Sequence, residues 1–192
     1  MLKAFILLKL FLLLGGCAYQ YTNEHNLVIE DIKQIKLNVK SFEINKDSLD
    51  IIITENLLQN EINKKVLNKL EAWAWQKFVT EGIENEAYLN VLKIDTTVIE
   101  KRKNKKSILA IINQGKEVYK IALNFDLSIT TNDSLIKTLK ITSSLDFELL
   151  NKYSITQRDK VIIYNVNKLI KLVDEKITFQ LNSKAFNQFV ME

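Results

Sequence analysis

The chain has 192 residues, 47% of them hydrophobic and 26% charged, with one cysteine, one histidine and no proline. That length supports one domain with a proper core and leaves little room for a second. Its 27 basic and 23 acidic residues give a net charge of +4, and the excess shrinks further if Lys3 and Lys9 leave with a leader, so nucleic-acid binding is not indicated. A lone cysteine cannot form an internal disulfide, so stability must come from packing.

The chain opens on Lys3, an apolar run from Ala4 to Leu14, then Gly15, Gly16 and Cys17. A basic start, a short apolar segment and small residues before a cut are the parts of a secretory signal. The run is broken by Lys9 and falls short of the roughly 20 apolar residues a spanning helix needs. Leu14-Gly15-Gly16-Cys17 resembles the bacterial lipobox. The resemblance implies that the Cys17 sulfur takes a diacylglyceryl group and that cleavage leaves Cys17 as an acylated first residue. Each buried methylene contributes about 0.8 kcal/mol, and stable attachment needs more than one acyl chain, which a lipidated Cys17 would carry. The expected organisation is a signal peptide over 1–16, the lipidated cysteine and a flexible linker over 17–33, and one domain over 34–192. The linker is polar and aperiodic; a coil of its length spans roughly 20 to 24 Å on average. His25 lies within it and reads as a solvated tether residue, because a ligand or general base sits among convergent polar partners.

Ile35, Leu37 and Val39 alternate with polar residues as a half-buried strand does. The apolar phase then slips to Phe42 and Ile44, which predicts a bulge or an early strand end. Asn56 followed by Gln59 has the side chains of a capping box, after which Leu58, Ile62, Val66, Leu70, Trp73 and Ala74 form one stripe of a helix over 57–79. Trp75 falls off that stripe. Gly82 suits a left-handed helix end. A strand over 88–100 places Leu92, Ile94, Thr96 and Val98 on one face. It leads into Lys101, Arg102, Lys103, Lys105 and Lys106, and then into the apolar run Ile108 to Ile112.

The cleanest alternation runs from Val118 to Ile129, with Tyr119, Ile121, Leu123, Phe125, Leu127 and Ile129 on one side. It predicts a sheet covered on one face only. Thr131 to Ser134 is a turn by composition, and the returning strand sends Leu135, Leu139, Ile141, Leu145 and Phe147 inward. Ser154 and Gln157 form a second capping box before a long helix, whose buried stripe is Ile155, Ile162, Val166, Leu169, Val173, Ile177 and Leu181. The tail carries Phe186 and Phe189 in an expected last helical turn or two. The order β-α-β-β-β-α, with one apolar face per element, predicts an α/β two-layer sandwich: a four-stranded, largely antiparallel sheet with two long helices on one face.

Cys17 and its leader, the segment from Leu67 to Trp73, Gly82, the paired strands and the entry from Ser154 to Asp159 resemble small envelope lipoproteins of alphaproteobacteria. More loosely, the layout is similar to lipopolysaccharide-assembly lipoproteins and to auxiliary lipoproteins of lipid-transporting ABC systems. The resemblance implies a lipid-anchored, periplasm-facing module in envelope assembly or in lipid or lipopolysaccharide transport, with Cys17 the one residue whose role transfers. Ala18 is not the aspartate of an inner-membrane retention signal, so the outer membrane is the expected address.

Three functions compete at this level. The first is a non-enzymatic accessory module that binds an envelope protein or an anionic lipid. Lys101, Arg102, Lys103, Lys105 and Lys106 would be its contact with an anionic surface. Trp75, Ile108, Leu109, Ile111 and Ile112 would be its apolar docking patch, or else cover one end of the core. The second is a hydrolase of an envelope polymer using Asp126, Asp146 and Glu148. Nucleophile elbow, phosphate loop and metal-ligand spacing are all missing from the sequence, so an enzyme is not expected, nor a cofactor or metal. The third is a purely structural protein that self-associates.

Overall fold

The computed structural model describes residues 32–51, 53–102 and 115–191, with backbone alone at 51 and 100–102. The body opens with β1 (Ile35–Leu37), β2 (Ser41–Asn45) and β3 (Asp50–Ile51), then α1 (Leu57–Lys77) and β4 (Phe78–Thr80). Three long strands follow, β5 (Glu86–Arg102), β6 (Lys116–Thr130) and β7 (Ile136–Leu150). The chain then forms α2 (Ile155–Leu181), a 3-10 turn (Asn187–Phe189) and β8 (Val190–Met191). The main sheet has the order β2-β5-β6-β7, and β3 occupies the same edge of β5 beyond β2. β5, β6 and β7 are antiparallel neighbours, while β2 and β3 run parallel to β5. Both helices lie on one face, so the expected α/β two-layer sandwich is the architecture.

Alternation forces this layering. On β6, Tyr119, Ile121, Leu123, Phe125, Leu127 and Ile129 are buried, and the polar residues between them face the uncovered side. α1 buries Ile62, Val66, Leu70, Trp73 and Ala74 against that apolar face, and α2 buries Ile162, Val166, Leu169, Ile170, Val173, Ile177 and Leu181. The helix starts are set by side chains. Ser154 and Gln157 close both arms of the predicted capping box. Asn56 accepts from the amides of Leu58 and Gln59, but the return arm differs, because the amide of Asn56 donates to Thr54 Oγ1.

Several expectations are corrected. The phase slip after Val39 marks a change of sheet: β1 sits between β4 and β8 in a separate three-stranded sheet, while β2 joins the main one. The tail forms one 3-10 turn and then pairs with β1 as a strand. On β5 a register shift between Val91 and Lys93 buries Val91 and leaves Leu92 half-buried. Ile155 is exposed at the first turn of α2, and Leu135 is exposed in the hairpin turn. α1 ends at Lys77 and passes directly into β4.

Gly82 does not hold a left-handed helix end, since among the described residues those with positive φ are Asn85 and Ser134, each at 61°. Its requirement is close approach. A Cβ there would lie 2.5 Å from both Asn38 C and Val39 N, where the segment leading into β5 crosses the bend between β1 and β2. Gly82→Ala is therefore expected to destabilise the fold by about 1–3 kcal/mol, the usual cost of overpacking. A lower urea midpoint at unchanged m-value would report it.

Candidate functional site

The long strands give the body two distinct ends. At the near end, β1 receives the chain from its N-terminal part and the C-terminal residues return to pair with it. Lys137 lies over the Phe189 ring there, 5.3 Å from its centroid, and donates to the Ala185 carbonyl. At the far end, Lys101 and Arg102 close β5 opposite Glu117 and Lys116, and the amide of Asn151 donates to the Gly115 carbonyl. β5 has 17 residues; at about 3.3 Å per residue the two ends are roughly 50 Å apart.

Lys101 and Arg102 thus sit, by their backbones, at the tip farthest from the entry of the chain. Lys103, Lys105, Lys106, Ile108, Leu109, Ile111 and Ile112 lie outside the described residues, as does Cys17. Lys116, Lys120 and Lys152 add positive charge at the same end, where Lys116 pairs with Glu148. Trp75 sits at the other end. It is 59% exposed and meets the Phe42 ring edge-on at 5.4 Å, and Phe42 pairs with Ala87 near the start of β5. The described residues that flank the run Ile108 to Ile112 are at the far tip.

Tyr119 closes the core under that tip. Its ring stacks on Phe147 at 5.5 Å and its hydroxyl donates to Glu117 at 2.6 Å. Burial pushes the phenol well above its ordinary pKa, reinforced by the hydrogen bond to Glu117 and by that carboxylate's charge. At the near end the Glu86 carboxyl is held below its usual range, first by the Tyr88 hydroxyl and then by Lys40 at 3.0 Å.

The carboxylates considered for catalysis are dispersed over the uncovered face. Asp126 lies opposite Lys140 and Asp146 opposite Lys120 in the strand register, and Glu148 pairs with Lys116. Each thus faces a lysine across a strand pair, the ordinary stabilising pattern of an exposed sheet. Among the described residues no group of three or more His, Cys, Asp and Glu could hold a metal ion. No helix among them is long and apolar enough to cross a membrane.

One buried polar cluster was not foreseen from the sequence. Asp174 of α2 accepts from Trp73 Nε1 at 2.8 Å and pairs with Lys77 Nζ at 2.8 Å, locking the two helices together. Lys77 is only 1% exposed in its side chain. The available signal was spacing, since Lys77 follows Trp73 by one helical turn and so continues the buried stripe.

No protein-family model matches the chain. No curated protein matches it either. Among solved structures it is similar to a minor lipoprotein from Acinetobacter baumannii, at 10% identity and a TM-score of 0.39, over 81% of this chain and 98% of that one. It is also similar to a neuraminyllactose-binding hemagglutinin homolog from Helicobacter pylori, at 10% identity and 0.41, over 83% and 91%. A third is rare lipoprotein B from Shewanella oneidensis, at 8% identity and 0.30, over 72% and 98%. At these identities and scores the likeness assigns no role to any residue.

Two outcomes follow for the polar contacts. Asp174→Ala leaves the Lys77 ammonium buried without its carboxylate and should cost about 3 kcal/mol or more, whereas Lys77→Met removes the charge with its need for a partner and should cost much less. Urea unfolding of the two variants tests that asymmetry. For Tyr119, a phenol pKa raised by folding contributes stability in full below the unfolded value of about 10, and loses it as pH rises from there toward the folded value. The stability difference between the wild-type chain and Tyr119→Phe should therefore shrink between about pH 10 and 12 and stay constant below about pH 9.

Proposed function

We propose that this chain is an exported envelope lipoprotein, acylated at Cys17 and facing the periplasm from the outer membrane. It serves as a non-enzymatic accessory module in envelope assembly or in lipid or lipopolysaccharide transport. The observation that carries the reading is that β1 and the Lys101–Arg102 end of β5 lie at opposite ends of the long strands. The N-terminal segment enters at β1, and the basic connector leaves β5 at Lys101 and Arg102. A body held by acyl chains at one end and drawn to anionic headgroups at the other lies along the bilayer. Each basic residue near an anionic surface adds about 1 kcal/mol, and the attraction fades within a Debye length. The five cationic positions are thus enough to orient the body, and salt weakens that orientation. One broad face of the module then stays open to an envelope partner.

The test uses the full chain expressed with its leader. Mass spectrometry should find Met1 to Gly16 absent and Cys17 carrying acyl chains, and Cys17→Ser should leave the membrane fraction. A fluorophore at Asn151 should be quenched by labelled headgroups in vesicles containing anionic lipid. Quenching should fall several-fold in neutral vesicles, in high salt, or when Lys101, Arg102, Lys103, Lys105 and Lys106 are replaced by glutamine. An intact Met1 with a free thiol would overturn the anchor, and quenching that ignores lipid charge would overturn the second attachment.

A further inference from the structure

The two broad faces of the sandwich treat charge differently. The three lysines that β6 and β7 turn to the uncovered side each meet a carboxylate there: Lys116 pairs with Glu148, Lys140 lies opposite Asp126, and Lys120 lies opposite Asp146. On β5, Lys93 pairs with Asp95 at 3.7 Å. The helical side is not matched in this way. α1 and α2 carry nine basic and five acidic residues between them. Lys65 pairs with Glu61 and Lys77 with Asp174, and Glu71 is taken by Lys46. Lys64, Lys160, Lys168 and Lys171 are all exposed, and among the described residues no carboxylate lies within ion-pairing distance of any of them.

Helical spacing sets these four lysines on the side away from the core. On α2, Lys160, Tyr164, Lys168 and Lys171 stand at i, i+4, i+8 and i+11, one stripe of a helix, and the buried Ile162, Val166, Leu169 and Val173 occupy the opposite one. On α1, Lys64, Asn68 and Trp75 repeat the spacing as i, i+4 and i+11. The exposed aromatic rings keep the same company. Among the described residues the large exposed aromatics are Trp75, Tyr164 and Phe179, at 59%, 67% and 80%, and all three belong to these two helices. Unpaired lysines set among exposed rings suit a bilayer surface, because the rings settle at headgroup depth and the ammonium groups reach anionic phosphates over stems laid on apolar surface. We infer that the outer face of α1 and α2 is the surface this chain lays on an anionic bilayer, with Lys64, Lys160, Lys168 and Lys171 against the headgroups and Trp75 and Tyr164 between them. Turned the other way, the body would press Asp126, Asp146 and Glu148 onto the same headgroups and leave the unpaired lysines in water. The uncovered sheet face is therefore the one left open to a partner. The inference rests on the reading of an anchored body lying along the bilayer and adds which side faces down.

The experiment uses the mature, acylated chain in vesicles that contain anionic lipid and labelled headgroups, with the Asn151 probe as reference. Asn68→Cys and Ser144→Cys carry a fluorophore at mid-body on the helical and the uncovered face, and both positions are exposed. A helix about 10–12 Å across, with the sheet beneath it, lies between the two probes. Quenching at Asn68 should exceed that at Ser144 at least threefold. Lys64→Gln, Lys160→Gln, Lys168→Gln and Lys171→Gln together should lower the Asn68 signal at least threefold, and arginine at the same four positions should keep it, with circular dichroism unchanged in both sets. Equal quenching of the two probes, or stronger quenching at Ser144, would overturn the inference while a quenched Asn151 probe left the attachment at the tip standing. Asn68 quenching that ignores the change to glutamine would overturn it too. So would an Asn68 probe shielded from a water-soluble quencher yet untouched by labelled headgroups, by showing that protein, a second copy included, covers the helices. Silence from all three probes would overturn the bilayer-lying reading and this inference with it.

Discussion

One constraint governs this molecule: two-residue alternation held over strands of fifteen or more residues, without a register shift between β6 and β7 and interrupted on β5 near Leu92 and Ile99. Burying Tyr119, Ile121, Leu123, Phe125, Leu127 and Ile129 on β6 alone contributes on the order of 10 kcal/mol before the entropy of ordering is subtracted. That is comparable to the whole net stability of a typical domain. Such a face cannot stay wet, and without a disulfide to compensate, both helices must lie across it. The Asp174 contacts to Trp73 and Lys77 then fix how those helices sit against each other. They act on specificity of packing more than on its strength, since buried ion pairs contribute little net stability.

How much of this could be read in the sequence depended on how local the cause was. The long strands, both helix starts and the layering follow from periodicity and caps within a few residues, and they were legible. β1 was legible as a strand from the alternation of Ile35 and Leu37, but its sheet was not, and β8 was missed, because two residues carry too little pattern and the pairing joins segments distant in sequence. The phase slip at Val39 was visible, but its meaning was a change of sheet, which no local rule supplies. Leu92 was misplaced because it is the extra residue at a register shift, with Val91 buried before it and Ile94 after it. Gly82 was identified as special for the wrong reason, since its neighbours at Asn38 and Val39 are distant in sequence.

The candidate site divides in the same way. A run of five cationic positions is a local signal that any reader of the sequence finds. The place of its first two members, Lys101 and Arg102, opposite β1 is a consequence of strand length and register, and so is the separation of Trp75 from the residues flanking Ile108 to Ile112.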